Sequence, residues 1–201
     1  YRKFSYLNYC GGGFYEKKHK FINDFLPTYE NKIELEDHDV ELSYEKNSLL
    51  LKGNGKIFID NKFDKISYNI NYKEKNYNFE SAIQLKNFPL EIKSLDYKKK
   101  KGVDANLELK GSFKKNDFLI FKKILLKEDK NLISIDGLKL DENSKIKDIK
   151  YLKLNYININ NKKNKISLSK SKKSYKIKGT SFDGNRLLNE LLNGDSKNGN
   201  S

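Results

Sequence analysis

The chain has 201 residues, a net charge of +14, and 36% hydrophobic against 34% charged residues, so no element can be apolar on every side. No apolar run approaches the ~20 residues of a membrane-spanning helix. Of the 41 basic residues only Arg2 and Arg186 are arginines, and the lysine excess reads as a solvated, aggregation-resistant surface rather than a nucleic-acid footprint.

Methionine is absent and the first residue is Tyr1, which points to a piece of a longer chain. Residues 1–30 read as an irregular entry segment. Cys10-Gly11-Gly12-Gly13 is a flexible break, and Phe21 to Leu26 is a short helix or strand ended by Pro27. The three glycines lack the following Lys-Ser or Lys-Thr of a phosphate loop. Cys10 is the single cysteine and has no internal disulfide partner.

Residues 31–180 carry a period-two pattern, the signature of strands with one apolar face. Glu36-Asp37-His38-Asp39 is a polar bend, because adjacent strand residues point to opposite faces and do not converge on one metal ion. Gly53 and Gly55 are placed to permit a tight turn or bulge. Ile66, Tyr68, Ile70 and Tyr72, then Tyr77, Phe79, Ile83 and Leu85, form a hairpin across the polar turn at Lys73 to Asn76.

The alternation continues through Val103, Ala105, Leu107 and Leu109, through Ile133 and Ile135, through Leu152, Leu154 and Tyr156, and through Ile166 and Leu168, to Tyr175 and Ile177. Short polar connections separate these runs, among them Glu128 to Asn131 and Asn161 to Lys165. The fold class is therefore mainly β: a long antiparallel meander of ten or more strands. It hides its apolar face by folding into a sandwich, closing into a barrel or curling into a trough, and the low apolar content favours a single shared interior.

The chemical inventory argues against an enzyme. His19 and His38 are the only histidines, neither beside a recognisable nucleophile pattern, and the carboxylates are embedded among lysines. No cofactor or metal site is expected. The aromatics share the phase of Ile and Leu, which places them inside rather than on a base-stacking platform. An outer-membrane barrel needs a longer apolar band than several of these runs supply.

Three stretches, in order, resemble the AsmA-like superfamily of bacterial bridge-like lipid transport proteins, close to its YhdP-like branch as found in alphaproteobacteria. They are Phe88 to Lys99 followed by Gly102 and the strand Val103 to Leu109; Leu132 to Asp141 followed by Ile149 to Asn155; and Lys176 to Asp183 followed by Leu187 and Leu188. The resemblance implies a periplasmic body anchored in the inner membrane by a segment outside this chain. It also implies a hydrophobic β-sheet groove along which phospholipid acyl chains pass toward the outer membrane, with no catalytic residue to carry over. The expected acyl-contacting residues are Ile83, Leu85, Val103, Leu107, Leu109, Ile133, Ile135, Leu152, Leu154, Ile166 and Leu168. The alternative is a structural or adhesive β-sandwich that binds a protein or an anionic surface.

Residues 181–194 read as a capping helix, with Asp183 as N-cap and Leu187, Leu188, Leu191 and Leu192 as its apolar stripe. At about ten residues it needs a surface to dock on. Residues 195–201 form a polar tail.

Overall fold

The computed structural model describes residues 3–5, 14–15, 32–59, 62–100, 102–114, 118–142, 146–172 and 174–185. The readings at Cys10 to Gly13, at Phe21 to Leu26 and along the leucine stripe after Asn185 lie outside these residues.

The alternation is realised as one 13-stranded antiparallel sheet. Its long strands are β3 (Lys32–Glu45), β4 (Ser48–Ile59), β5 (Lys62–Lys73), β6 (Asn76–Leu85), β9 (Ala105–Lys114), β10 (Leu119–Glu128), β11 (Asn131–Leu140), β13 (Tyr151–Ile157), β14 (Lys163–Ser171) and β15 (Ser174–Ser181). They lie side by side in chain order. Three short strands complete the sheet: β1 (Lys3–Ser5) and β2 (Phe14–Tyr15) pair with β3, and β12 (Ile146–Asp148) pairs with β11. The sheet does not close on itself; it is a meander curled into a trough. Two tight turns show why the register holds. Lys46-Asn47 and Glu74-Lys75 each place both central residues at positive φ, the twist-matched geometry of a two-residue hairpin.

Register breaks between Glu36 and Asp39, between Phe121 and Lys123, and between Lys165 and Ile166 bend the sheet locally. The first of these is the expected polar bend at 36–39, realised as a bulge inside β3 with Asp37 at φ 46°. Of the turn or bulge expected at Gly53 and Gly55 the turn is corrected, since both lie within β4, while Gly55 does stand opposite the bulge at 36–39. Their role is close approach. A Cβ on Gly53 would stand 2.3 Å from the Tyr68 ring, and one on Gly55 would stand 2.4 Å from His38 Nδ1. The rings of Tyr68 and His38 therefore lie directly over the backbone of β4.

Between β6 and β9 the chain leaves the sheet. Residues 86–104 contain a separate two-stranded pair, β7 (Glu91–Ile92) and β8 (Tyr97–Lys98), joined by a 3₁₀ turn (Lys93–Leu95). This insert lies on the apolar face, where Phe88, Leu90, Leu95 and Tyr97 pack with Leu85, Leu126, Ile133, Leu154 and Tyr156. Each such aliphatic or Phe side chain contributes about 1.5–3 kcal/mol by leaving water. Val103 belongs to this insert and not to a strand, since β9 starts at Ala105; its amide donates to the Lys100 carbonyl in the insert's last turn.

Gly55→Ala is expected to destabilise the protein by about 1–3 kcal/mol, because the new methyl group meets a buried imidazole in a packed site. A urea midpoint unchanged from wild type would show that the His38 ring moves aside without cost.

Candidate functional site

Strand register sorts the apolar face into five rows that cross the sheet. The first row, at the insert end, runs through Leu35, Ile57, Asp64, Leu85, Ala105, Glu128, Asn131, Tyr156 and Asn164. The second runs through Ile66, Ile83, Leu107, Leu126, Ile133, Leu154 and Ile166. The third contains Val40, Tyr68, Ser81, Leu109, Ile124, Ile135, Leu152, Leu168 and Ile177. The fourth contains Leu42, Leu51, Ile70, Phe79, Phe121 and Leu138, and the fifth, at the turn end, Tyr44, Leu49, Tyr72, Tyr77, Phe113 and Leu119.

On β3 to β9 coverage falls from the first row to the fifth; on β10 and β11 it returns, where Phe121, Leu138 and Leu140 form a second buried cluster with Phe79, Leu119 and Ile149. Leu154 in the second row is 1% exposed, whereas Tyr77 and Tyr44 in the fifth are 40% and 64% exposed. The gradient has a chemical cause in the first row, where polar residues occupy positions of the apolar phase. Asp64 accepts the backbone amides of Lys86, Asn87 and Phe88 at 2.9–3.0 Å, which fixes the start of the insert. Glu128 accepts the Tyr97 hydroxyl at 2.7 Å and the Lys100 amide at 2.8 Å, which fixes its end. The Tyr156 hydroxyl donates to the Leu95 carbonyl at 2.7 Å. Asn164, fully buried, accepts the Asp183 amide at 2.7 Å and so holds the chain leaving β15.

The electrostatics of this end follow from its burial. Desolvation, helped by the Glu128 carboxylate, pushes the Tyr97 hydroxyl far above its ordinary range. Tyr156 is raised by burial in the same way. Burial lowers Lys99, against the opposing pull of Glu128, Asp64 and Asp104; its ammonium donates to the Lys86 and Lys100 carbonyls at 3.0 Å. The insert is thus a hydrogen-bonded cover whose polar groups are satisfied.

The cover divides the expected acyl-contacting residues. Leu85 lies in the first row, and Ile83, Leu107, Ile133, Leu154 and Ile166 lie in the second; all six belong to the cluster packed with the insert. Leu109, Ile135, Leu152 and Leu168 lie in the third row and are partly exposed; Ile135 and Leu152 still pack against that cluster, and Leu109 and Leu168 do not belong to it. Val103 lines no row. Expectation had also placed Glu128, Asn131 and Asn164 in polar connections. They are strand residues, Glu128 and Asn164 are buried, and the Asn131 side chain is tied to Glu128 and to the Ile157 amide.

Sequence reasoning had named no acyl contact in the less covered half of the face, built by Val40, Leu42, Leu51, Ile70 and Tyr72 and by the rim residues Tyr44, Tyr77 and Phe113. The signal for it was present: apolar alternation at 40, 42 and 44, and at 49 and 51, flanks the turn at Lys46-Asn47. At the rim the aromatic rings touch in sequence, Tyr72 to Tyr77 at 4.7 Å and Tyr77 to Phe113 at 6.2 Å.

The opposite face is polar and bears two depressions. One, of about 910 Å³, includes Lys52, Lys110 and Lys123 with Asp39, Glu41, Glu80 and Glu108. Lys110 pairs with Glu80 at 2.5 Å and Lys123 with Glu108 at 2.8 Å, so its charge is internally balanced. The other, of about 650 Å³, lies at the turn end and is lined by Lys73, Lys114 and Lys139 beside Phe118 and Ile120, with Glu74 as the only carboxylate among the described residues. No protein-family model, curated protein or solved structure matches this chain.

Tyr97→Phe removes a hydrogen bond to a buried carboxylate and is expected to cost about 1.5–3 kcal/mol at neutral pH. A hydroxyl whose pKa is raised on folding contributes stability that is complete below the ordinary tyrosine value of about 10 and is lost as pH rises beyond it. The deficit of Tyr97→Phe in urea midpoint therefore narrows above pH 10. A deficit constant to pH 11 would refute the role assigned to that hydroxyl.

Proposed function

We propose that this chain is a non-enzymatic segment that carries phospholipid acyl chains along the uncovered rows of its apolar face. The observation that carries the reading is the third row, apolar at every described strand but for Gly53 and Ser81. It crosses the sheet from Val40 on β3 to Ile177 on β15, the latter still 62% exposed at the last strand. An apolar band that runs from strand to strand without a second sheet over it is surface that a soluble domain normally hides. A lipid tail is the simplest partner of matching chemistry, because it is apolar, linear and indifferent to side-chain detail.

The resemblance to the AsmA-like superfamily, YhdP-like branch, points the same way. In that reading the chain belongs to the periplasmic body of an inner-membrane-anchored protein and transfers phospholipid toward the outer membrane. Single-sheet architecture also weighs against the adhesive sandwich, in which two sheets face one another.

Site-specific photo-crosslinking in cells separates the rows. Probes at Leu109, Leu152 and Leu168 are expected to capture lipid, probes at Leu154 and Ile133 beneath the insert are expected to capture little, and probes at Glu108 and Asn155 on the outer face none. Equal capture at Leu152 and Asn155 would reject the trough as the path.

A further inference from the structure

We infer that the basin at the turn end is a binding site for the anionic phosphate headgroup of a lipid whose acyl chain lies over the adjacent rim. This rests on the acyl-chain reading proposed above and adds to it the headgroup class and the orientation of the lipid. The two rims of the trough are unequal. The insert and its hydrogen bonds to Asp64 and Glu128 close one, so a headgroup has no seat there. At the other, β3 to β9 present the tight turns at Lys46-Asn47 and Glu74-Lys75 and the exposed side chains of Tyr44, Tyr77 and Phe113, while β12 and the buried Leu138 and Leu140 occupy its β11 part.

Strand alternation puts the two halves of a lipid site on opposite sides of that open rim. Tyr72, Tyr77 and Phe113 face the trough, and their chain neighbours Lys73, Asn76 and Lys114 face the basin. Asn78, Ser112 and Lys139 continue its wall, so ammonium, amide and hydroxyl donors surround a space of about 650 Å³. Lys139 also rests its ammonium 3.4 Å from the Phe118 ring centre. Among the described residues three lysines against Glu74 leave the basin cationic, whereas the larger depression on the same face pairs Lys110 with Glu80 and Lys123 with Glu108.

The dimensions agree with one tail per site. From the third row to the fifth, Tyr68 to Tyr72 on β5, the strand beyond the covered rows extends about 14 Å at ~3.4 Å per residue. One leaflet of a bilayer core is about 15 Å deep. A chain of about that length therefore reaches from the rim to the covered rows, and its headgroup emerges beside Lys73 and Lys114. Aromatic side chains with lysines at a polar–apolar boundary suit such a position, since each presents apolar surface on one side and a polar or charged tip on the other.

The test uses short-chain phosphatidylglycerol and phosphatidylcholine with the same acyl chains, below their micellar concentrations, and inorganic phosphate as a third probe. Binding to the full chain is followed by calorimetry. Phosphatidylglycerol is expected to bind at least about tenfold more tightly than phosphatidylcholine. Lys73→Gln with Lys114→Gln is expected to abolish that preference while leaving phosphatidylcholine affinity within about twofold. Lys52→Gln with Lys110→Gln removes the same net charge from the balanced depression and is expected to keep the preference. Loss of the preference in both double variants would reduce the effect to overall charge and overturn the site. Inorganic phosphate binding as tightly as phosphatidylglycerol would overturn the lipid assignment. Equal binding of both lipids by wild type would overturn the headgroup site and leave the acyl trough standing; binding of neither would overturn both.

Discussion

A sheet with one apolar face has to cover that face, and here the cover is a single insertion held by two buried carboxylates. Asp64 gathers three consecutive amides where the insert departs, and Glu128 takes a hydroxyl and an amide where it returns. Burying a carboxylate is costly unless its oxygens are fully engaged. These two are engaged by the one segment that covers them, so cover and anchor depend on each other. Much of the rest of the apolar face follows from where this segment ends: the first two rows become core, and beyond them the face is least covered on β3 to β9, because Phe121, Leu138 and Leu140 form a second core cluster on β10 and β11.

That division changes what an apolar residue means in this chain. Leu154 and Leu152 are two positions apart on one strand, with the same side-chain chemistry and the same face. The first is buried core with Leu85, Ile133 and Tyr156, and the second, one row on, only borders that cluster and stays partly exposed. Period-two patterning assigns a face and cannot assign a depth along the strand, because every inward residue contributes the same signal.

For the same reason the meander was legible in the sequence and its cover was not. The strand order, the hairpin at Glu74-Lys75 and the bend at 36–39 rest on local alternation and turn chemistry. The insert rests on contacts far apart in the chain, such as Tyr97 with Glu128 and Leu95 with Tyr156. One local clue did exist. Asp64, Glu128 and Asn164 sit where the apolar phase calls for hydrophobic residues, and a polar residue in that phase at a strand end looks like the start of a turn until something is known to bind it. Gly53 and Gly55 misled in a similar way. Glycine in a strand permits a bulge or a close approach, and only the rings of Tyr68 and His38 decide between them.

The charge of the chain also acquires a distribution. Most lysines lie on outward-facing strand positions and turns, where they keep a one-sided sheet soluble. In the larger outer depression they are paired; at the turn-end basin three meet a single carboxylate. Net charge alone steers any polyanion toward the molecule without choosing among them. Selectivity arises where unbalanced lysines adjoin uncovered apolar surface, because only an amphiphile satisfies both at once. Along the described sheet that combination occurs at the rim formed by Tyr72, Tyr77 and Phe113, opposite the insert, so the covering of one end gives the other its specificity.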